Sequence, residues 1–164
     1  MKKNRLIVLR IVLTALTAAM IGFIFLNSMK NADDSSAQSG ALLARINGVL
    51  HWLGISRELS QHFIRKTAHF TEYFVLGSLL CATAYAYVRR RGRMLCIALP
   101  AGLCTAVIDE LIQSGSAGRS CEIADMALDF SAVVTASLIA VLILYLRRRR
   151  KGKKLRDKEG TSHE

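Results

Sequence analysis

Arg65-Lys66-Thr67-Ala68-His69-Phe70-Thr71-Glu72-Tyr73-Phe74-Val75-Leu76-Gly77 opens a run that stays mostly apolar as far as Val88. At about 100° per residue, Arg65, Lys66, His69, Glu72 and Tyr73 fall within about 120° of arc. One face of this predicted helix is polar, and the rest is Phe, Val and Leu. The run from Thr67 to Val88 is long enough for a bilayer core, which takes about 20 residues of helix. Ionisable groups at the bilayer centre cost roughly 2.5–3.5 kcal/mol each, so this face predicts polar partners on neighbouring helices.

Three further runs of spanning length lie around it: Leu6 to Met29, Met94 to Gln113 and Ala124 to Leu146. Pro100 sits inside the third span in chain order and predicts a kink there. The 164 residues are 52% hydrophobic, yet the net charge is +11 and the pI near 10.0. With 7% aromatic residues and one proline, collagenous, disulfide-framework and wholly disordered classes are excluded. The basic residues sit in short blocks between apolar runs, not along folded faces with interleaved aromatics, so nucleic acid is not expected as a partner. Cys81, Cys96 and Cys104 lie inside apolar runs and Cys121 in a short connection; with no CxxC, the first three read as packing residues. The expected fold is all-α, a polytopic membrane bundle of four transmembrane helices.

Charge asymmetry sets the expected direction. Seventeen of the 23 Lys and Arg fall on one side: the N-terminal Lys2, Lys3, Arg5 and Arg10, the Arg89–Arg93 link and the tail after Leu146. Both termini are therefore expected in the cytoplasm, with the basic blocks against anionic lipid headgroups. The chain divides into an N-terminal transmembrane helix (1–29), an extracytoplasmic loop (30–66), a three-helix core (67–146) and a basic cytoplasmic tail (147–164). The first helix is expected to stay uncleaved, because its run is long for a signal peptide. Within the loop, Asn31 to Gly40 reads as polar and flexible. Ala41 to Leu53 spaces Leu42, Leu43, Ile46, Val49, Leu50 and Leu53 as a short interfacial amphipathic helix.

The other spans carry matching polar groups. Asp109, Glu110 and Gln113 share about 100° of arc near the end of the third span. Asp125 and Asp129 lie about 40° apart near the start of the fourth, with Glu122 just before them. At 1.5 Å per residue, Glu72, Asp109 and Asp129 all sit about 6–8 Å inside the outer end of their spans. Three helices of alternating direction thus bring their charges to one level. Arg119 falls in the turn between the last two spans. Five carboxylates (Glu72, Asp109, Glu110, Asp125, Asp129) face Arg65, Lys66, Arg119 and one histidine. The surplus must be hydrated, share protons or hold a divalent cation. Ion pairs that merely hold a bundle together are the competing reading.

The block from Arg65 to Gly77 resembles the signature of the VanZ-like membrane protein family. So do Asp109-Glu110-Leu111-Ile112-Gln113, Gly118-Arg119-Ser120 and Asp125-Met126-Ala127-Leu128-Asp129, in the same order. Where the family often continues with Gly, this chain has Phe130-Ser131-Ala132. The resemblance implies a bacterial, multi-pass protein of the cytoplasmic membrane, in a family whose founding member is associated with teicoplanin resistance. Its motif positions fall here on Lys66, His69, Glu72, Asp109, Glu110, Gln113, Arg119 and Asp125.

Three functions compete. The favoured one is a non-enzymatic protein that binds a cell-wall precursor, lipoglycopeptide or lipid through the outward polar cluster and so contributes to glycopeptide resistance. The alternative is a metal-assisted intramembrane enzyme acting on a lipid-linked or headgroup substrate; no Ser-elbow or HExxH motif supports it. A transporter is the third, weakened by the lack of acidic residues deeper in the spans. Topology is directly testable: alkaline phosphatase fused after Gly40 should be active, and fused after Gly92 inactive. The reverse pattern would invert the orientation.

Overall fold

The computed structural model describes residues 2–30, 32–54, 59–116 and 122–160. They form five helices: α1 (Lys2–Ser28), α2 (Ala32–Trp52), α3 (Gln61–Val88), α4 (Arg91–Ser114) and α5 (Ile123–Gly160). No strand occurs among the described residues. α3 packs against each of the other four helices, and its contact with α5 is the most extensive. The bundle is therefore α1, α4 and α5 arranged about α3, with α2 laid against α3.

The outside of the bundle is apolar. Ile7, Val8 and Ile11 of α1, Leu111 of α4, and Leu138 and Leu142 of α5 are exposed, whereas Asp109, Glu110 and Asp129 are buried. A protein folded in water shows the opposite arrangement. The chain has the helices of a multi-pass membrane protein.

Three stretches, Lys3–Ser28, Arg91–Ser114 and Ile123–Arg150, are long and apolar enough to cross a membrane, where the spacing predicts four. The exception is α3. Its 28 residues suffice in length, but Arg65, Lys66, His69, Glu72 and Tyr73 crowd its first half, and Tyr85 and Tyr87 dilute the rest. Its central position explains why such a sequence is tolerated, since much of its surface meets other helices. α2 also differs from expectation. It begins at Ala32, so the stretch expected to be flexible is helical, and no proline interrupts it. α4 runs through Pro100 as one helix. Of the three cysteines expected to pack, Cys81 is buried against Ser137, while Cys96 and Cys104 face outward.

Small residues set how closely the helices approach. Val133 of α5 is fully buried. A Cβ added at Gly77 of α3 would lie 2.9 Å from the Val133 Cα and 3.2 Å from its carbonyl oxygen. One added at Gly102 of α4 would lie 2.6 Å from Val133 Cγ1. A single valine thus wedges between two glycines, and the buried Ala84, Ala98, Ala106, Ala132 and Ala136 continue this small-residue packing. Polar ties then attach α1 to α3. Thr17 and Thr83 share a 2.8 Å hydrogen bond, and Arg10 donates to the Ala86 carbonyl at 3.1 Å while lying over the Tyr87 ring.

One end of the bundle is basic. Arg89, Arg90, Arg91, Arg147 and Arg148 surround a common hollow where α3, α4 and α5 meet. Beside it lies an apolar cavity of about 420 Å³, lined by Leu9, Leu13, Cys81 and Ala140 together with Arg89 and Arg147. Arg89 closes α3 in the left-handed region, at φ 52°, where its amide donates to the Tyr85 carbonyl.

The two glycines should respond differently to one added methyl group. Gly77→Ala meets backbone, so it should destabilise by about 1–3 kcal/mol, and Val133→Ala should not rescue it. Gly102→Ala meets a side chain, and Val133→Ala should recover part of its loss. Thermal unfolding in detergent distinguishes the two; equal rescue would contradict the geometry.

Candidate functional site

The end opposite the basic one collects the polar residues. α1 and α4 finish there, and α3 and α5 begin there. α1 supplies Asn27 and Ser28, α3 supplies Lys66, His69, Glu72 and Tyr73, α4 supplies Asp109, Glu110 and Gln113, and α5 supplies Asp125 and Asp129. The expected arcs hold: Asp109, Glu110 and Gln113 are all buried on one face of α4.

Asp109 lies at the centre and is fully buried. Its carboxylate accepts hydrogen bonds from the Ser28 hydroxyl of α1 and, at 3.1 Å, from the Gln113 amide one turn onward. The same amide lies 3.4 Å from Ser28 Oγ, so three polar groups from two helices close one network. Charge-assisted bonds of this kind are worth about 1.5–3 kcal/mol each.

Glu110 has a different role. Its Oε2 accepts the Glu122 amide at 3.0 Å, immediately before α5 starts. Helix N-termini leave backbone donors unsatisfied and favour negative charge, so a buried Glu110 on α4 anchors the start of α5. Lys66 pairs with Asp125 at 3.1 Å, joining α3 to α5, and both side chains are partly exposed. Glu72 stands to one side, 3.4 Å from the Asn27 amide, and Asn27 in turn accepts from Lys30 at 2.9 Å.

The deepest part of the cluster joins His69, Asp109 and Asp129. One donor atom from each lies within 4.8 Å of the others, so that among the described residues these three could hold a metal ion. His69 Nδ1 stands 4.0 Å from Asp129 Oδ1, too far for a hydrogen bond. Asp129 is 1% exposed, and neither of its oxygens has a hydrogen-bond partner. The Tyr73 hydroxyl is likewise buried without one.

Of the residues singled out from the sequence, Lys66, His69, Glu72, Asp109, Glu110, Gln113, Asp125 and Asp129 come together at this end. Arg119, expected between α4 and α5, lies outside the described residues. Asn27, Ser28 and Lys30 join the cluster without having been expected there. Asn27-Ser28 does close an otherwise apolar run, but a polar pair at a span end also reads as an ordinary interface.

A family model described as VanZ/LLP1 matches residues 13–145, well over half of the chain. No curated protein and no solved structure matches it.

The network predicts a ranking of costs. Ser28→Ala should destabilise by about 2 kcal/mol, because it strips a donor from a buried carboxylate. Lys66→Met, at a partly exposed pair, should cost under about 1 kcal/mol. Combined with Asp109→Leu, Ser28→Ala should become nearly neutral. Unfolding in detergent checks all three, and an undiminished Ser28→Ala effect in that background would exclude the bond.

Proposed function

The chain belongs to the VanZ/LLP1 family, and we propose that it is a bacterial cytoplasmic-membrane protein that binds a cell-envelope ligand through the polar end of its bundle, contributing to glycopeptide resistance of the teicoplanin type. The observation that carries this reading is the convergence of four helices on one buried polar cluster, with charges that ordinary packing does not require. The ligand is a cell-wall precursor, a lipoglycopeptide or a lipid headgroup; Lys66 supplies a cationic contact for its anionic group, and Asp125 orients it.

In this reading α3 is the fourth span, shielded by its neighbours, and α1 stays attached because it contributes Asn27 and Ser28 to the cluster. The positive-inside asymmetry puts both termini and the arginine-rich end in the cytoplasm, so the cluster faces outward. The arginines lining the hollow and the neighbouring apolar cavity support contact with anionic lipids on the inner side. A second reading, an intramembrane enzyme acting on a lipid-linked or headgroup substrate, draws on one observation: His69 stands beside two buried carboxylates, as a base and its orienting groups would.

Glu72→Gln and Asp109→Asn are near-isosteric and test the binding reading. Glu72→Gln, at the side of the cluster, should accumulate at wild-type levels, yet leave cells as teicoplanin-susceptible as cells lacking the protein; Asp109→Asn, whose carboxylate also anchors α1, should lose protection beyond any fall in its abundance. Failure of Glu72→Gln to accumulate would make the cluster structural, and a wild-type protein that protects nothing would remove the resistance role. Turnover of a lipid-linked substrate by purified protein would favour the enzyme.

A further inference from the structure

We propose that His69, Asp109 and Asp129 form a divalent-cation site within the bundle. Three helices contribute one donor each, α3 the imidazole, α4 and α5 the carboxylates, and the donor atoms all lie within 4.8 Å of one another. The residue that distinguishes this site from an ordinary acidic cluster is Asp129. It is almost wholly buried, and neither carboxylate oxygen is hydrogen-bonded. Neither Asp109 nor Asp129 pairs with a lysine or arginine among the described residues, because the nearby Lys66 is engaged by Asp125. Two carboxylates buried side by side need positive charge or a proton between them. His69, 4.0 Å from Asp129, offers at most one charge for two acids, and neither Asp129 oxygen is hydrogen-bonded. A cation lying between the three donors would neutralise both acids.

The donor set narrows the ion. One imidazole with two carboxylates and no thiolate suits zinc or manganese. A tetrahedral ion with bonds near 2.0–2.2 Å needs its donors about 3.4 Å apart. The His69–Asp129 separation is 4.0 Å and no pair in the trio exceeds 4.8 Å, so the side chains must close by at most about 1.4 Å to reach that geometry. Ser28 and Gln113 orient Asp109 from outside, in the way that hydrogen bonds around a metal site fix its ligands. Three protein donors leave at least one coordination position open, and Tyr73, one turn beyond His69 on α3, keeps its hydroxyl buried without a hydrogen-bond partner. The site deepens the ligand-binding reading by supplying an electropositive centre for an anionic oxygen. It does not depend on that reading, since occupancy is measured without reference to resistance.

The test uses the full-length protein, purified in detergent without a histidine tag, stripped with EDTA and titrated with Zn²⁺ or Mn²⁺. About one ion per chain should be retained after desalting, with a melting temperature raised by several degrees. His69→Gln and Asp129→Asn should each weaken retention at least tenfold, whereas Glu122→Gln, an exposed acid just before the start of α5, should keep it. If Asp129→Asn does not fold, His69→Gln decides, because it removes no buried charge. Retention below about a tenth of an ion per wild-type chain overturns the proposal, as does full retention by either trio variant. Loss of binding in Glu122→Gln as well would show diffuse binding to surface acids, and would overturn it too. Metal binding without any effect on glycopeptide susceptibility would leave this site standing and remove the resistance role.

Discussion

The Asp109 carboxylate, buried among four helices, sets the terms for the rest of the structure. An ionised group deprived of water must find its partners within the protein, and leaving it unpaired costs several kcal/mol. Ser28 at the end of α1 and Gln113 of α4 donate to it directly. Satisfying one carboxylate therefore decides where α1 ends against α4. Glu110, one residue on, fixes where α5 begins by accepting the Glu122 amide. The polar end thus fixes how α1, α4 and α5 meet there, as the Thr17–Thr83 and Arg10–Ala86 hydrogen bonds fix α1 against α3 farther along.

Close approach makes this possible. Where the surroundings are as apolar as the side chains, helices associate through tight packing and hydrogen bonds, not through exclusion of water. Gly77 and Gly102 let Val133 sit against two helices at once, which brings α3, α4 and α5 near enough for His69, Asp109 and Asp129 to converge. The site's geometry is thus a consequence of small residues one to three turns away from it. The close contact comes from glycines on α3 and α4 facing a valine, so Phe130-Ser131-Ala132 of α5 needs no glycine of its own.

Helical periodicity makes the polar faces of α3, α4 and α5 legible in the sequence. Charged residues three and four apart inside an apolar run share one side of a helix, and that side must turn away from lipid. Their common depth follows from the rise per residue. What periodicity cannot convey is which helix lies in the middle. By spacing α3 is a span equal to the others, yet it is the least apolar, and its position among the other four helices accounts for that. Asn27 and Ser28 are hidden for a related reason: a span end is where polar residues normally occur, and only the neighbouring helix shows that they point inward. The full length of α2 is hidden because polarity resembles irregularity, although Ala32 to Gly40 contains no residue that prevents a helix. The wedge of Val133 between two glycines depends on contacts far apart in the chain and has no local signature.

The central claim is that α1 and α4 end together around one buried carboxylate. The direct measurement is cross-linking in native membranes, with a short bifunctional thiol reagent, of a chain carrying Ser28→Cys and Gln113→Cys, with the four native cysteines replaced by alanine. The Ser28 hydroxyl and the far end of the Gln113 side chain are 3.4 Å apart, so the reagent should join the two cysteines rapidly within one chain, with no such link for the control pair Ser28→Cys and Ser78→Cys. A chain that accumulates normally but forms no Ser28–Gln113 cross-link would contradict the convergence on which the site rests.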